Sequence, residues 1–191
     1  MDCENTAYVP LAQEVQLQAS QQMSQRVWIG LPEFVLDAPE PILIDYYVEE
    51  TLVKMRSQGF RGENVIMAGH SLGGVMSQKY SLKKSDKVKA QVLMGSTLTR
   101  EHRSIQSDGT TFFDYPVPTL TIGGTKDGLM RISRIAESFW HSSENVNEDQ
   151  KDLFPVVALN GVSHMQFMSG EAPKAVKKRD LKPDITEEAA H

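Results

Sequence analysis

Gly69-His70-Ser71-Leu72-Gly73 constrains this chain more than any other stretch. It joins two segments of different character. Asn64-Val65-Ile66-Met67-Ala68 is a short apolar run suited to a buried strand, and Gly74-Val75-Met76-Ser77-Gln78-Lys79-Tyr80 can open a helix. A G-x-S-x-G turn between a strand and a helix forces its serine into strained backbone geometry, with the hydroxyl at the apex. Small residues on both sides avoid the clashes that Cβ atoms would bring. The helix N-terminus points unpaired N–H groups at the same place, where they stabilise a developing negative charge. The plain alternative is a glycine-rich turn with an incidental serine, and the flanking segments weigh against it.

A serine hydroxyl is a poor nucleophile unless a base takes its proton and an acid orients that base. Val117-Pro118-Thr119-Leu120-Thr121-Ile122-Gly123-Gly124 reads as a strand ending in the turn Thr125-Lys126-Asp127-Gly128. Phe154-Pro155-Val156-Val157-Ala158-Leu159 reads as another, ending in Asn160-Gly161-Val162-Ser163-His164. Asp127 and His164 therefore lie just past the C-terminal ends of strands, where open α/β sheets bind ligands. Each has a plain alternative, Asp127 as a turn or helix-cap residue before Gly128 and His164 as an ordinary loop histidine. Of the five histidines, His70 lies inside the turn and is expected to point elsewhere. His102 precedes the acid in a polar segment, His141 ends a helix, and His191 is terminal.

Over about residues 7 to 170 these features resemble the α/β-hydrolase superfamily, whose nucleophile, acid and base follow in the order Ser, Asp or Glu, His. Besides the turn, Tyr115 to Gly124 looks like the strand that delivers the acid. Val162-Ser163-His164-Met165-Gln166-Phe167 looks like the histidine loop. The resemblance implies an α/β fold, a mostly parallel sheet with flanking helices. It implies a serine hydrolase of the esterase or lipase type, acting on a carboxylic ester or related acyl compound. Ser71 would be the nucleophile, Asp127 the acid, His164 the base, and the Leu72 N–H one oxyanion donor. No cofactor or metal is needed. Met165 and Phe167, with Met168, would line an apolar acyl pocket, core packing being the alternative for at least one of them.

The sequence departs from the family at its front. The second oxyanion donor normally comes from a loop after an early strand, such as an HGGG-type segment, and none occurs here. Ahead of the turn, Tyr8 to Ser20 reads as a helix with apolar Val9, Leu11, Ala12, Val15 and Leu17, and Arg26-Val27-Trp28-Ile29-Gly30-Leu31 as one strand. The chain thus looks like a hydrolase core without its first strands. Met1-Asp2-Cys3-Glu4-Asn5-Thr6 would be the remnant of the oxyanion loop; were the chain as it stands a monomer with ordinary turnover, the second donor would have to lie within Asp2 to Tyr8.

Composition fits a soluble globular domain. A net charge of −5 argues against a nucleic-acid surface. No run approaches a membrane span of roughly 18 apolar residues, and the start lacks the features of a signal peptide. The single Cys3 rules out an internal disulfide and a multi-cysteine metal site, and suits a reducing, cytoplasmic compartment.

Strands alternate with helices, which argues for a parallel sheet. Pro41 to Gly59 reads as a helix whose Ile44, Tyr47, Val48, Leu52 and Met55 share a face. Ala90 to Gly95 reads as the strand after the turn helix. Leu129 to His141 reads as a helix with Leu129, Ile132, Ile135, Ala136 and Phe139 toward the core. Thr97 to Asp114 is either a lid element or, as favoured here, a surface connection. Ser142 to Asp152 reads as a solvated loop. The core spans residues 1–170, and 171–191 reads as a charged, solvated or disordered tail. Two functions remain. One is the serine hydrolase. The other is a catalytically weak or inactive hydrolase-like binding or structural domain, motivated by the missing oxyanion loop. The missing strands would leave an exposed sheet edge open to self-association.

Overall fold

The computed structural model describes residues 5–24, 26–35, 40–145, 148–171 and 173–186. Met1–Glu4, and with them Cys3 and most of the expected loop remnant, lie outside the described residues. After a 3-10 turn at Asn5–Tyr8, α1 runs Val9–Met23 and α2 runs Ile44–Ser57. Strand β1, Val65–His70, leads through Ser71 into α3, Leu72–Lys83, and β2 covers Val88–Met94. A hairpin of β3, Arg103–Ile105, and β4, Thr111–Phe113, follows. Then come β5, Thr119–Gly124, α4, Ile132–Asn145, β6, Val156–Leu159, and the short α5, Lys174–Lys177. The four longer strands form one parallel sheet in the order β1-β2-β5-β6. Parallel neighbours require crossovers: α3 joins β1 to β2 and α4 joins β5 to β6, while the β3–β4 hairpin lies on the connection from β2 to β5, and the whole is the α/β architecture expected. Among the described residues, no helix is long and apolar enough to cross a membrane.

The core explains why α2 and α3 sit where they do. Ile44, Val48 and Leu52 repeat every four residues on one face of α2 and meet Met76 and Tyr80 of α3 and Val88 and Leu93 of β2. Leu98, Tyr115, Val117 and Phe154 complete the cluster. Two buried glutamines fix α3 against its surroundings. Gln91 Nε2 donates to Ser77 Oγ at 2.9 Å. Gln78 Nε2 donates to the Gly74 carbonyl, and its Oε1 accepts from Thr99 N–H, both at 2.9 Å. Buried polar groups that are satisfied in this way specify one helix position.

Several elements differ from the sequence reading. Arg26–Leu31 is not a strand. A strand exists only where a neighbour completes its ladder, and this segment and the residues after it lie instead against α2 and the loop that follows it. The Trp28 ring lies 6.2 Å from Phe60, Phe34 lies 5.2 Å from Tyr47, and Gly30 approaches Thr51 and Met55. Helix α1 forms, but none of its residues is buried, so its apolar residues make no core. In α4, Ile135 is buried with Ser138, His141 and Ser142, whereas Ile132 and Phe139 are exposed. The reason lies in the hairpin. Arg103 is buried, its Nε donates to the Leu98 carbonyl at 2.8 Å, and its Nη1 lies 3.3 Å from Glu137 Oε1 on α4. A buried guanidinium needs a carboxylate, and that pairing decides which side of α4 faces inward. Thr97–Asp114 therefore carries a packed hairpin rather than a bare surface connection. Ser142–Asp152 continues α4 to Asn145 and adds a 3-10 turn at Glu148–Leu153.

Candidate active site

Strand β1 ends at His70, and the next residue holds an uncommon backbone conformation. Ser71 has φ 54° and ψ −122°, costly for a residue with a Cβ, and α3 begins at Leu72. Two bonds hold the turn. Ser71 N–H donates to the Met94 carbonyl and Gly74 N–H to the Ser71 carbonyl, both at 3.0 Å. The steric demand is not symmetric about the serine. A Cβ on Gly69 would lie 2.5 Å from the Gly73 carbonyl oxygen, and one on Gly74 would lie 2.6 Å from Ser96 Oγ. A Cβ on Gly73 would meet nothing within 4 Å. Gly69 and Gly74 are thus the glycines that the turn requires; Gly73, though part of the motif, has room for a side chain.

Asp127 and His164 meet at the ends of β5 and β6. His164 Nδ1 lies 2.7 Å from Asp127 Oδ2, and both side chains are buried. A carboxylate accepts, so Nδ1 carries a proton, and in the neutral ring the lone pair is then on Nε2. The second oxygen of Asp127 has a different task. Oδ1 accepts the N–H groups of Leu129 at 2.8 Å and Met130 at 2.6 Å. Asp127 thus serves its turn through one oxygen, as the plain reading had it, and meets His164 through the other. Gly95, at the end of β2, lies beneath the pair: with φ +51°, a Cβ there would be 3.0 Å from His164 Nδ1 and 3.2 Å from Asp127 Oδ2.

His70 does not point away, as the sequence reading expected. Its ring lies 4.7 Å from the His164 ring and 5.8 Å from Phe167. Its Nε2 lies 3.0 Å from the His164 carbonyl, which only accepts, so Nε2 donates and Nδ1 must accept. The partner at Nδ1 is the Tyr8 hydroxyl at 2.9 Å. Burial, followed by the neighbouring His164, pushes the His70 imidazole down to about 3. It is a neutral strut beneath His164, held from the N-terminal turn. Ser169 N–H donates to the Ala7 carbonyl at 2.9 Å, which ties the same turn to the end of the histidine loop.

The residues expected to line an acyl pocket divide. Phe167 and Met168 are buried, and Phe167 packs on His70. Met165 is half-buried in a groove shared with Gln166, Lys177, Asp180 and Leu181. Residues 173–186 of the tail do not hang free. Asp180 accepts from the N–H groups of Gly128, His164 and Met165, and Gln166 Nε2 donates to the Ile185 carbonyl at 2.9 Å. Sequence reasoning missed Tyr8, Gly95 and Asp180. None carries a local pattern, and each acts across a large gap in the chain.

Residues 33–188 match the family model described as the alpha/beta hydrolase family. No curated protein matches the chain. Among solved structures, an esterase from a marine microorganism is similar with 12% identity and a TM-score of 0.51, over 86% of this chain and 85% of that one. A pyrethroid hydrolase from Sphingobium faniae JZ-2 has 15% identity and a TM-score of 0.47, over 87% of each chain. Est1E from Butyrivibrio proteoclasticus has 15% identity and a TM-score of 0.42, over 66% of this chain. The match covers 63% of Est1E, less than two thirds of its length.

Proposed function

Because the chain belongs to the alpha/beta hydrolase family, we propose that it is a serine hydrolase cleaving a carboxylic ester or related acyl substrate through Ser71, Asp127 and His164. The observation that carries this reading is the buried 2.7 Å contact between His164 Nδ1 and Asp127 Oδ2. It commits His164 to the tautomer whose Nε2 can accept a proton. Ser71 Oγ attacks the acyl carbonyl, and His164 Nε2 takes its proton and returns it to the leaving group. Asp127 steadies the imidazolium, and the Leu72 N–H at the start of α3 is one oxyanion donor. The second donor is assigned to the N-terminal segment ending at Tyr8. The Tyr8–His70 and Ser169–Ala7 hydrogen bonds, which tie this segment to the site, support that assignment. No cofactor enters the scheme. The single cysteine supports a cytoplasmic setting.

The test is labelling of the purified chain with a fluorophosphonate probe. Covalent labelling of the wild type and its loss in Ser71→Ala is the expected result. Labelling that persists in Ser71→Ala, or its absence in a folded wild type, overturns the assignment.

One observation favours the second reading, a catalytically weak hydrolase-like binding domain. Among the described residues β1 pairs on one side only, and Ile66 on it is 67% exposed. Such an edge invites pairing with another chain.

A further inference from the structure

The geometry points to Asp180 as a positioning residue for the His164–Asp127 pair. This inference rests on the reading of that pair as base and acid. Asp127 and His164 belong to two loops at the ends of neighbouring strands, and their contact lasts only while the loops keep their spacing. Asp180 spans both. Its Oδ1 accepts from Gly128 N–H at 3.0 Å, on the acid's turn, and from His164 N–H at 3.1 Å. Its Oδ2 accepts from Met165 N–H at 3.1 Å. The residue after the acid, the base itself and the residue after the base thus hang on one carboxylate.

The donors suit a carboxylate. His164 and Met165 open the 3-10 turn His164–Phe167, where backbone N–H groups lack partners within the turn. A carboxylate is a stronger acceptor for such groups than a neutral oxygen. The approach of the tail is built in. A Cβ on Gly128 would lie 2.0 Å from the Arg179 carbonyl oxygen, so only glycine lets the strap pass so close to the acid's turn. Farther along, Asp184 N–H donates to the Gly161 carbonyl at 2.9 Å, and Gln166 Nε2 reaches Ile185. The strap is therefore stapled on both sides of the histidine loop. Asp180 touches neither the Asp127 carboxylate nor the His164 ring in any hydrogen bond found among the described residues. It acts through backbone.

The experiment compares wild type, Asp180→Ala and Asp180→Asn. The first readout is the downfield proton resonance of His164 Nδ1–H, which reports the bond to Asp127 without needing turnover. The second is steady-state hydrolysis of a short p-nitrophenyl ester. Thermal unfolding identifies the variants that are folded. In Asp180→Ala the resonance should broaden or vanish, and kcat should fall by about 10²-fold, the cost of misplacing a catalytic group by about 1 Å. KM should stay within a few-fold, and the unfolding curve must exclude a loss of folded protein, which would also lower the apparent kcat at unchanged KM. Asp180→Asn keeps one acceptor oxygen but turns an amide toward a donor, so it should fall between the two. It serves alone if the alanine variant does not fold. A folded variant with an unchanged resonance and kcat within twofold of wild type overturns the proposal, as does a wild type without the resonance. A wild type that shows the resonance but no esterase or labelling sinks the hydrolase reading alone. The resonance in the variants then still decides the role of Asp180.

Discussion

The Tyr8 hydroxyl donates to His70 Nδ1 at 2.9 Å, so the N-terminal turn holds the histidine that lies under His164. The other nitrogen of His70 donates to the His164 carbonyl. The low value of about 3, against 6.5 for a free imidazole, follows from burial and from His164. Below pH 6.5 the unfolded chain takes up a proton here that the folded chain refuses. Stability from this group is complete above pH 6.5 and is lost as pH falls toward 3. The slope is at most about 1.4 kcal/mol per pH unit. Urea unfolding at pH 7, 6 and 5 should show the decline, and His70→Gln should flatten it. Equal slopes for wild type and variant would refute the assignment.

Tyr8→Phe removes the donor to His70 and leaves the ring packing of the two side chains largely in place. A buried acceptor without its partner costs about 1–3 kcal/mol. The melting temperature should fall. A stability loss below a few tenths of a kcal/mol in chemical unfolding would mean that the N-terminal turn does not brace the site.

Asp127→Asn tests both oxygens at once. The amide oxygen can still accept from Leu129 and Met130, while the amide nitrogen faces His164 Nδ1 and favours the wrong tautomer. A carboxamide at the triad acid typically lowers kcat by about 10⁴. The expected outcome is a folded protein with ester hydrolysis reduced by several decades and a modest change in melting temperature. Full turnover in the folded variant would remove Asp127 from the mechanism.

The glycines of the serine turn separate cleanly. Gly73→Ala adds a methyl group where nothing lies within 4 Å, on a helix where Ala is favoured over Gly by about 1 kcal/mol. Its melting temperature should hold or rise. Gly69→Ala drives a methyl group onto the Gly73 backbone, which cannot yield as a flexible side chain would. That variant should lose melting temperature and labelling together. Equal stabilities for the two would contradict the geometry.

The unpaired edge of β1 makes a prediction about association. Ile66→Lys puts a charge on an edge strand, a common way in which natural sheets block pairing. If the edge binds a second copy, sedimentation velocity should show a concentration-dependent dimer for the wild type and monomer for the variant. Identical behaviour of the two at every concentration counts against that role.

Local chemistry made much of this protein legible in its sequence. An apolar run, a turn of small residues and a helix-forming segment announced β1, Ser71 and α3, because strand, strain and helix are set by neighbours in the chain. The strands β2, β5 and β6 showed as β-rich apolar runs. Asp127 and His164 could be singled out because strand ends in such sheets are where side chains converge. The face of α2 followed from its periodicity. What the sequence did not reveal depends on partners far along the chain. Residues 26–31 have strand chemistry but no adjoining ladder, so they lie against α2. The inward side of α4 is set by the buried charge of Arg103, which no helical period encodes. His70 turned into the site because Tyr8, 62 residues earlier, gives its ring a donor and the His164 carbonyl, 94 residues later, gives it an acceptor. Asp180, in a segment whose charges read as solvated, became a clamp only when folding brought three unpaired N–H groups to it. A hydrogen bond between distant residues leaves no spacing or composition signal, because it exists only after the chain has paid the entropy of bringing its ends together.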